Sequence, residues 1–247
     1  MDQSEIKKLT SHIINLPALP SVAAKLFTLV DDSQSSAEQI AKLISSDQAI
    51  TAKVLRVANS SYYSFTKEIK SVRLAVALLG LDTVMNICLS VSLYRNMSSI
   101  DANDTFDMMA FWEHSLSVAI IAKMLAEKFR VNNPEDFFTI AILHDIGKLI
   151  IHEYFTDEFR QIYKIITLKK CTSKEAEERV LKTNHAKIGG WLCQNWNFPE
   201  RISYCVETHH NIEPAGDTSF KKAAAVIHLA DFFANITGKN YPFVEHD

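Results

Sequence analysis

Apolar residues recur at helical spacing along almost the whole of this 247-residue chain, and that pattern limits its fold more than any other feature. Between Ser21 and Val30, for example, Val22, Leu26 and Leu29 share one face of a helix. The whole chain contains only 6 glycines and 6 prolines. No segment shows the sustained alternation of apolar and polar residues that is typical of a half-buried strand. The sequence therefore predicts an all-α protein.

The predicted helices fall into two groups, because residues 97–107 form the least apolar stretch of the chain. This stretch contains Ser98-Ser99 and the polar run from Asp101 to Asp104. We therefore expect a two-lobed helical bundle that forms one domain. Its N-terminal lobe would comprise residues 1–100 and its C-terminal lobe residues 101–247.

Capping residues predict where individual helices begin and end. In the N-terminal lobe they place helix starts at Ser36 and Asp47 and helix ends at Asn59 and Gly80. In the C-terminal lobe the predicted helices cover residues 111–129, 134–154, 157–169, 173–181 and 185–196, a helix that begins near Pro199 and carries His209-His210, and residues 220–236.

The composition argues against several classes of protein. The net charge of −3 gives no electrostatic basis for general binding to nucleic acid or to an anionic membrane. The N-terminus lacks the apolar core of a signal peptide, and no apolar run approaches the ~20 residues needed to span a bilayer. The four cysteines form no CxxC pair and are typical of reduced core residues. We expect a cytoplasmic protein with no general nucleic-acid partner and no membrane partner.

A histidine and a carboxylate stand side by side, as His144 and Asp145, in the otherwise apolar segment from Thr139 to Ile151. Burial of a charged group without a partner is strongly unfavourable, so such a pair must be satisfied by something. Further candidates in the same half of the chain are His114, His185, His209, His210 and Asp231. Neutral imidazoles and ionised carboxylates are good ligands for divalent metals. These seven residues therefore form a candidate metal site.

The seven residues are sufficient for two ions. One ion would take His114, His144, Asp145 and Asp231, and a second would share Asp145 as a bridge and take His185, His209 and His210. Two ions ~3.5–4 Å apart suit hydrolysis of a phosphate ester, because they polarise the phosphoryl group and stabilise the leaving oxygen. The mixed ligand set suits iron, manganese, zinc or nickel better than calcium. Lys148, one turn after His144, would neutralise charge on the phosphate, which makes Asp145 and Lys148 the candidate catalytic residues.

Each of these residues also has a purely structural explanation. A single histidine on an apolar helix is more often a hydrogen-bonded core residue than a metal ligand, and a lysine near a helix end is commonly solvated. His228 shares a face with Asp231 and is a candidate to orient that carboxylate. His12, His152 and His246 have no such context, and we expect them at the surface.

The order of His114, then His144-Asp145 with Gly147-Lys148, then Asp231 resembles the HD superfamily of metal-dependent phosphohydrolases. The additional His185 and His209-His210 are similar to the binuclear variant in the HD-GYP branch, whose members hydrolyse cyclic di-GMP. The chain lacks the Gly-Tyr-Pro element that names this branch. The resemblance thus implies metal-dependent phosphohydrolase chemistry, and the missing element argues against cyclic di-GMP as the substrate.

Motifs in the N-terminal lobe resemble the HDOD domain, and the similarity covers nearly the whole chain. They are Leu16-Pro17-Ala18-Leu19-Pro20, the segment from Ser46 to Ser60, and the segment from Ser71 to Gly80. One departure is Asp47-Gln48, where the family usually has Asp-Pro. HDOD domains are similar in fold to the HD hydrolases, often lack metal ligands and act as bacterial signalling or regulatory outputs. The resemblance therefore implies a signalling protein, here with an unusually full ligand set.

Two hypotheses for function follow. In the first, the protein binds one or two divalent metal ions and acts as a phosphohydrolase on a nucleotide or another phosphate ester. In the second, it is a non-catalytic signalling output that binds a protein partner, and the same residues form an inert metal site or a metal-free polar network. Turnover with added metal separates the two.

Overall fold

A computed structural model describes residues 36–60, 67–97, 106–131, 133–211 and 218–237, together with residues 22, 24–26, 29 and 65. Twelve helices have defined bounds in these ranges, and none of the described residues lies in a strand. The all-α prediction is therefore confirmed. The motif of residues 16–20, the polar run of residues 98–105, His12 and His246 lie outside the described residues.

The chain divides into two compact units, one of residues 17–99 and one that includes residues 100–247. The first unit contains the helices α1 (Ala37–Ser45), α2 (Gln48–Ala58), α3 (Val72–Leu79) and α4 (Leu81–Met97). Apolar residues from these helices, such as Ile44, Val54 and Ala75, are fully buried and pack into one core. Burial of a large aliphatic side chain stabilises a fold by about 1.5–3 kcal/mol, so this core holds the four helices together.

The ends of the first helices follow from their capping side chains. The Ser36 hydroxyl accepts a hydrogen bond from the backbone N–H of Gln39, and the side-chain oxygen of Gln39 accepts one from the backbone N–H of Ser36. Asp47 accepts from the first backbone N–H groups of α2, and Gly80 ends α3 with a positive φ of 83°. At the end of α2, the Asn59 side chain bonds both the N–H and the C=O of Ile69, at 2.7 and 2.8 Å. Asn59 thus ends one helix and fixes the approach to the next.

Eight helices lie in the described part of the second unit. They are α5 (Met108–Lys128), α6 (Pro134–Leu143), α7 (Ile146–Tyr154), α8 (Thr156–Lys169), α9 (Ser173–Leu181), α10 (His185–Asn195), α11 (Glu200–Thr208) and α12 (Thr218–Thr237). Helix α5 packs against α6 and α12, α10 packs against α7 and α11, and α6 also contacts α11 and α12. These contacts bring the ends and inner faces of helices that are distant in sequence to a common region.

The prediction of one continuous helix over residues 134–154 is wrong. Helix α6 ends at Leu143, α7 begins at Ile146, and His144 and Asp145 form the turn between them. The backbone at Asp145 has φ −99° and ψ 6°, which leaves the helical region. Because of this break, the two side chains are not tied to the ~100° separation that neighbours have on one helix. Lys148 consequently belongs to α7, not to the helix that precedes His144.

Helix α5 is long and apolar enough to cross a membrane by length and composition alone, although the sequence analysis found no such run. Its residues Val118, Ala119 and Ala122 are fully buried against other helices of the unit. Leu116 and Met124, in contrast, remain exposed. The buried face shows that α5 is an integral element of the helical fold described here.

The expectation that His152 lies at the surface is wrong. His152 is only 2% exposed. Its ring centroid lies 4.7 Å from that of Phe106 and 4.9 Å from that of Phe159. Among the described residues, neither ring nitrogen has a hydrogen-bond partner. The aromatic residues close over α7 at this point, which the sequence around His152 did not indicate. Burial lowers the pKa of this imidazole below its usual 6.5.

We predict that His152→Phe stabilises the protein, by about 1 kcal/mol at neutral pH, because an unsatisfied buried polar ring is replaced by an apolar one. The gain should grow as the pH falls through about 6.5, since the unfolded chain then binds a proton that the folded His152 resists. Urea denaturation of both proteins from pH 7.5 to pH 5 tests this. A stability difference that is independent of pH would contradict the assignment of a neutral, buried His152.

Candidate metal centre

All seven residues of the predicted ligand set lie in the second unit. His114 lies on α5, His144 and Asp145 in the α6–α7 turn, His185 at the first position of α10, His209 and His210 directly after α11, and Asp231 on α12. The prediction that His209 and His210 lie within a helix needs a small correction, because α11 ends at Thr208. The structure brings all seven side chains to one buried region.

Asp145 lies at the centre of the cluster, and its two oxygens face different histidines. Oδ2 is 3.5 Å from Nε2 of His144 and 3.7 Å from Nε2 of His114. Oδ1 is 3.2 Å from Nε2 of His185 and 3.9 Å from Nε2 of His209. A carboxylate placed in this way can bridge two neighbouring ions.

The ligand atoms fall into two groups that share Asp145. One group contains His114, His144 and Asp145, and the other contains Asp145, His185, His209 and His210; within each group the candidate ligand atoms lie within 4.8 Å of one another. Asp231 adds to the first group, because its Oδ1 is 3.1 Å from Nε2 of His114. In the second group, the Nε2 atoms of His185 and His210 are 2.9 Å apart. At that separation the two rings share a hydrogen bond, and only a small movement would bring them to the ~3.3 Å expected between two nitrogens that bind the same tetrahedral ion at about 2.0–2.1 Å.

Backbone carbonyls orient the rings of His144 and His209. Nδ1 of His144 lies 2.6 Å from the carbonyl oxygen of Ala141, and Nδ1 of His209 lies 2.7 Å from that of Val206. A carbonyl only accepts, so each Nδ1 carries the proton and each Nε2 presents a lone pair. Among the described residues these two buried Nε2 atoms have no hydrogen-bond partner. Buried lone pairs without a donor that converge on a carboxylate fit a divalent metal ion.

The charges of the cluster are balanced by close contacts. Burial alone would raise the pKa of the Asp145 carboxyl, but the ammonium of Lys148 and the imidazole of His185 hold it well below its usual range. The Asp231 carboxyl is likewise held low by its contact with His114, against the effect of burial. Burial lowers the pKa of both His144 and His209, which keeps them neutral. The two ionised carboxylates and the neutral imidazoles of His144 and His209 are therefore in the protonation states that metal ligation requires, whereas His185 must lose a proton before it can bind a metal ion.

Lys148 is buried, which excludes the alternative that it is a solvated lysine near a helix end. Its ammonium donates to Oδ2 of Asp145 at 2.8 Å. The ion pair ties the first turn of α7 to the carboxylate at the centre of the cluster. A role of this lysine toward a phosphate remains a prediction.

Glu177 is a site residue that the sequence analysis missed. This buried carboxylate accepts hydrogen bonds from Nδ1 of His185 and from the backbone N–H of His185, both at 2.7 Å, and from the hydroxyl of Ser173 at 2.8 Å. Burial would lower the pKa of His185, but Glu177 and Asp145 raise it to about 10. Glu177 lies among other glutamates on α9, so its spacing gives no signal that distinguishes it from a surface residue.

We predict that Glu177→Gln lowers metal affinity by about 10–100-fold, because a carboxylate behind a ligating histidine orients the ring and increases its basicity. Competition titration against a coloured chelator measures the effect. The matched control is Glu175→Gln on the same helix, where Glu175 is an exposed member of a capping box that glutamine can also complete. Equal metal affinity in the two variants would contradict the positioning role of Glu177.

His228 has a different partner from the one expected. Its Nδ1 lies 2.9 Å from the backbone carbonyl of His209 and donates a hydrogen bond to it. Helix α12 therefore supports the segment that carries His209 and His210 as well as supplying Asp231. The Asp231 carboxylate itself accepts a hydrogen bond from the Asn235 amide at 3.2 Å.

Close approach of two helices is required to bring Asp145 and His185 together. Gly147, in the first turn of α7, faces the backbone of α10, where an added Cβ would collide with the carbonyl group of His185 and with the backbone nitrogen of Gly189. Gly147 is therefore needed for packing rather than for an unusual backbone angle. It sets the distance between the two halves of the cluster.

Comparison with known proteins assigns the chain to a family. A model of the HDOD domain matches residues 16–212. The protein belongs to the HDOD domain family. A curated relative from Treponema pallidum, named only as an uncharacterised protein, is 23% identical over 240 residues, which is 95% of this chain and 45% of the relative. The chain thus spans less than half the length of that relative.

Solved structures support the same fold. An HDOD domain protein of unknown function from Geobacter sulfurreducens is 28% identical and has a TM-score of 0.88, with 99% of this chain and 80% of that chain covered. A candidate phosphohydrolase from Shewanella amazonensis is 26% identical and has a TM-score of 0.79, with 94% of this chain and 80% of that chain covered. This HDOD protein is therefore related in fold to a protein described as a candidate phosphohydrolase.

Proposed function

We propose that this HDOD protein binds one or two divalent metal ions around Asp145 and hydrolyses a phosphate ester with them. The observation that carries the proposal is the arrangement of Asp145, whose two oxygens face separate sets of imidazole nitrogens. The unpartnered Nε2 atoms of His144 and His209 add to it. The similarity in fold to a protein described as a candidate phosphohydrolase is consistent with it.

The ligand set also limits the metal. Five imidazoles and two carboxylates favour iron, manganese, zinc or nickel over calcium and magnesium, which prefer oxygen ligands. When bound, such ions supply Lewis-acid activation of the phosphoryl group and of a water molecule.

The residues of the chain have separate tasks in this proposal. Asp145 bridges the two ligand groups and keeps its carboxylate ionised. Lys148 holds Asp145 in place through their 2.8 Å contact and places a positive charge beside the position where phosphate charge develops. Glu177 keeps the His185 ring aligned through its bond to Nδ1.

We infer a signalling role in the bacterial cytoplasm, with a nucleotide or another phosphate ester as ligand and with protein signalling partners. The rival hypothesis is a non-catalytic output that binds a protein. One observation favours it: Lys148 neutralises Asp145 and Glu177 pairs with His185, so these residues balance one another's charge as a polar network without a metal ion. Membership of the HDOD family is compatible with both.

Activity measurements separate the two hypotheses. The full chain, purified without chelators or a metal-affinity step, is incubated with manganese or iron and assayed on nucleotides and on nitrophenyl phosphate esters. We expect metal-dependent phosphate release that Asp145→Asn abolishes and that Asp157→Asn, at an exposed carboxylate of α8, leaves unchanged. Turnover that survives in Asp145→Asn would indicate a contaminant. Bound metal without any turnover would favour the non-catalytic output.

A further inference from the structure

The outer sides of α5 and α12 expose large apolar side chains. Six residues of α5 between positions 109 and 124 are exposed, and four of these are large and apolar. Four residues of α12 between positions 229 and 236 are exposed, and all four are large and apolar. We call these eight residues the outer apolar face; they are Met109, Leu116, Ile120, Met124, Leu229, Phe232, Phe233 and Ile236. An exposed apolar surface of this size marks an interaction site.

The two helices of this face lie side by side in the second unit. Helix α12 packs against α5, and on their inner sides Nε2 of His114 is 3.1 Å from Oδ1 of Asp231. Glu113 and Phe232, which are adjacent in sequence to these two residues, are exposed. The outer apolar face therefore lies on the reverse side of two helices that supply candidate metal ligands.

The charge of the face limits what can cover it. Among the ten exposed residues in these stretches of α5 and α12, Glu113 is the only charged one. Nucleic acids and anionic membranes are bound by surfaces with clustered lysine or arginine, which the exposed positions of these two stretches lack. The interfaces of homodimers, in contrast, are more apolar than the rest of a protein surface. This composition favours a second copy of the chain as the occupant.

The area of the face is sufficient for a stable dimer. Its eight residues are between 38% and 65% exposed. Since a large side chain can bury roughly 150–250 Å², together they offer roughly 600–900 Å². Stable protein–protein interfaces bury about 800 Å² on each partner. The face thus has the size of one side of a standard dimer interface.

Helix α5 is complementary to an antiparallel second copy of itself. Leu116 and Ile120 share one side of the helix, because residues four apart are neighbours on it. A two-fold axis at residue 118 places Leu116 of each copy beside Ile120 of the other. The same axis brings Glu113 of each copy to the level of the half-buried Lys123 of the other, so opposite charges flank the apolar contact. A parallel pairing would instead place the two copies of Glu113 together.

We propose that this protein forms a symmetric homodimer in which α5 of one copy packs antiparallel against α5 of the other, with α12 completing the interface. This inference goes beyond the proposed function and does not depend on metal binding or hydrolysis. The dimer would support, from their outer sides, the two helices that carry His114 and Asp231.

Sedimentation velocity of the full chain over a range of concentrations tests the dimer. We expect the wild-type protein to sediment with twice the monomer mass. Leu116→Lys should weaken association by about 100-fold or more, because both copies lose the burial of a large aliphatic side chain. The matched control is Leu168→Lys, at a leucine of α8 that is 70% exposed and lies outside the face, and it should leave association unchanged. Circular dichroism checks that both variants are folded.

Cross-linking tests the orientation of the two copies. Ser117 lies next to the proposed axis, so a short bis-maleimide should link two copies of Ser117→Cys. The matched control is Thr167→Cys on α8. Both hydroxyls are exposed and donate to the carbonyl oxygen four residues earlier, so the two substitutions remove the same local contact. We expect efficient linkage through position 117 and none through position 167.

The results that would overturn the proposal are distinct. A wild-type monomer at every concentration would overturn it, as would a dimer that Leu116→Lys leaves intact. If Leu116→Lys fails to fold, linkage through position 117 decides, and absence of that linkage contradicts the antiparallel pairing. A monomer that binds phosphatidylcholine vesicles, and loses this binding in Leu116→Lys, would overturn the dimer and assign the outer apolar face to a lipid surface.

Discussion

Asp145→Asn should abolish metal binding at both ligand groups and also destabilise the folded protein. Asparagine keeps the shape of the side chain but loses the charge that both groups share, so the loss of metal affinity should exceed about 100-fold, more than an outer-shell change causes. The same change leaves Lys148, which is 4% exposed, without its carboxylate counter-charge. Breaking a buried ion pair from one side costs about 3–5 kcal/mol.

A double variant separates the two effects. Lys148→Met removes the buried ammonium and keeps much of its apolar bulk, so Asp145→Asn with Lys148→Met should recover most of the lost stability and still retain no metal. Urea denaturation and elemental analysis of the two variants provide the measurements. Normal metal content in either variant would contradict the central position of Asp145.

Gly147→Ala should be among the most damaging single substitutions in the second unit. The added methyl group meets backbone atoms of His185 and Gly189, which cannot rotate away. Helix α7 must therefore separate from α10, because small side-chain movements cannot relieve an overlap with backbone atoms. We expect the free energy of unfolding to fall by about 3 kcal/mol or more. The shift would also move His185 away from Asp145, so metal affinity should fall together with stability.

The matched control for this prediction is Gly189→Ala in the facing helix. A Cβ at this position would meet mainly side-chain atoms, Cγ1 of Val206 at 3.0 Å and Cγ2 of Ile146 at 3.3 Å. Such side chains can move by a few tenths of an ångström, so Gly189→Ala should lose clearly less stability than Gly147→Ala. Equal losses of stability in the two variants, measured by urea denaturation, would contradict the claim that the close approach of α7 to the His185 backbone makes Gly147 the more sensitive position.

Local signals in the sequence were sufficient to place most helices of this HDOD protein. Ser36 and Asp47 cap helices because their side chains accept hydrogen bonds from nearby backbone groups, which is a property of a few adjacent residues. Gly80 ends α3 for a similarly local reason. The helix predicted over residues 173–181 has the same bounds in the structure.

The break at His144-Asp145 could not be found in this way. The segment from Thr139 to Ile151 has helical apolar spacing throughout and contains no proline. The turn depends on tertiary contacts, because α7 must approach α10 at Gly147 while α6 packs against α5 and α11. Such contacts join residues that are far apart in sequence.

The candidate ligands could be predicted from the sequence because histidine and aspartate are conspicuous in apolar helices. The residues that orient these ligands could not be predicted. Glu177 lies in the charged segment Lys174-Glu175-Ala176-Glu177-Glu178. The sequence does not indicate which of the three glutamates in this segment is buried. His152 was misplaced for the opposite reason, since its burial depends on Phe106 and Phe159 and not on its own helix.

The central claim is that imidazole nitrogens and carboxylate oxygens from separate helices share a metal around one aspartate. Anomalous diffraction from crystals of protein purified without chelators or a metal-affinity step tests it most directly. We predict one or two anomalous peaks within ligation distance of the Asp145 carboxylate, on the sides of His144 and of His185. A map without anomalous density there, from protein whose elemental analysis shows no transition metal and whose melting temperature is unchanged by chelator, would contradict the account.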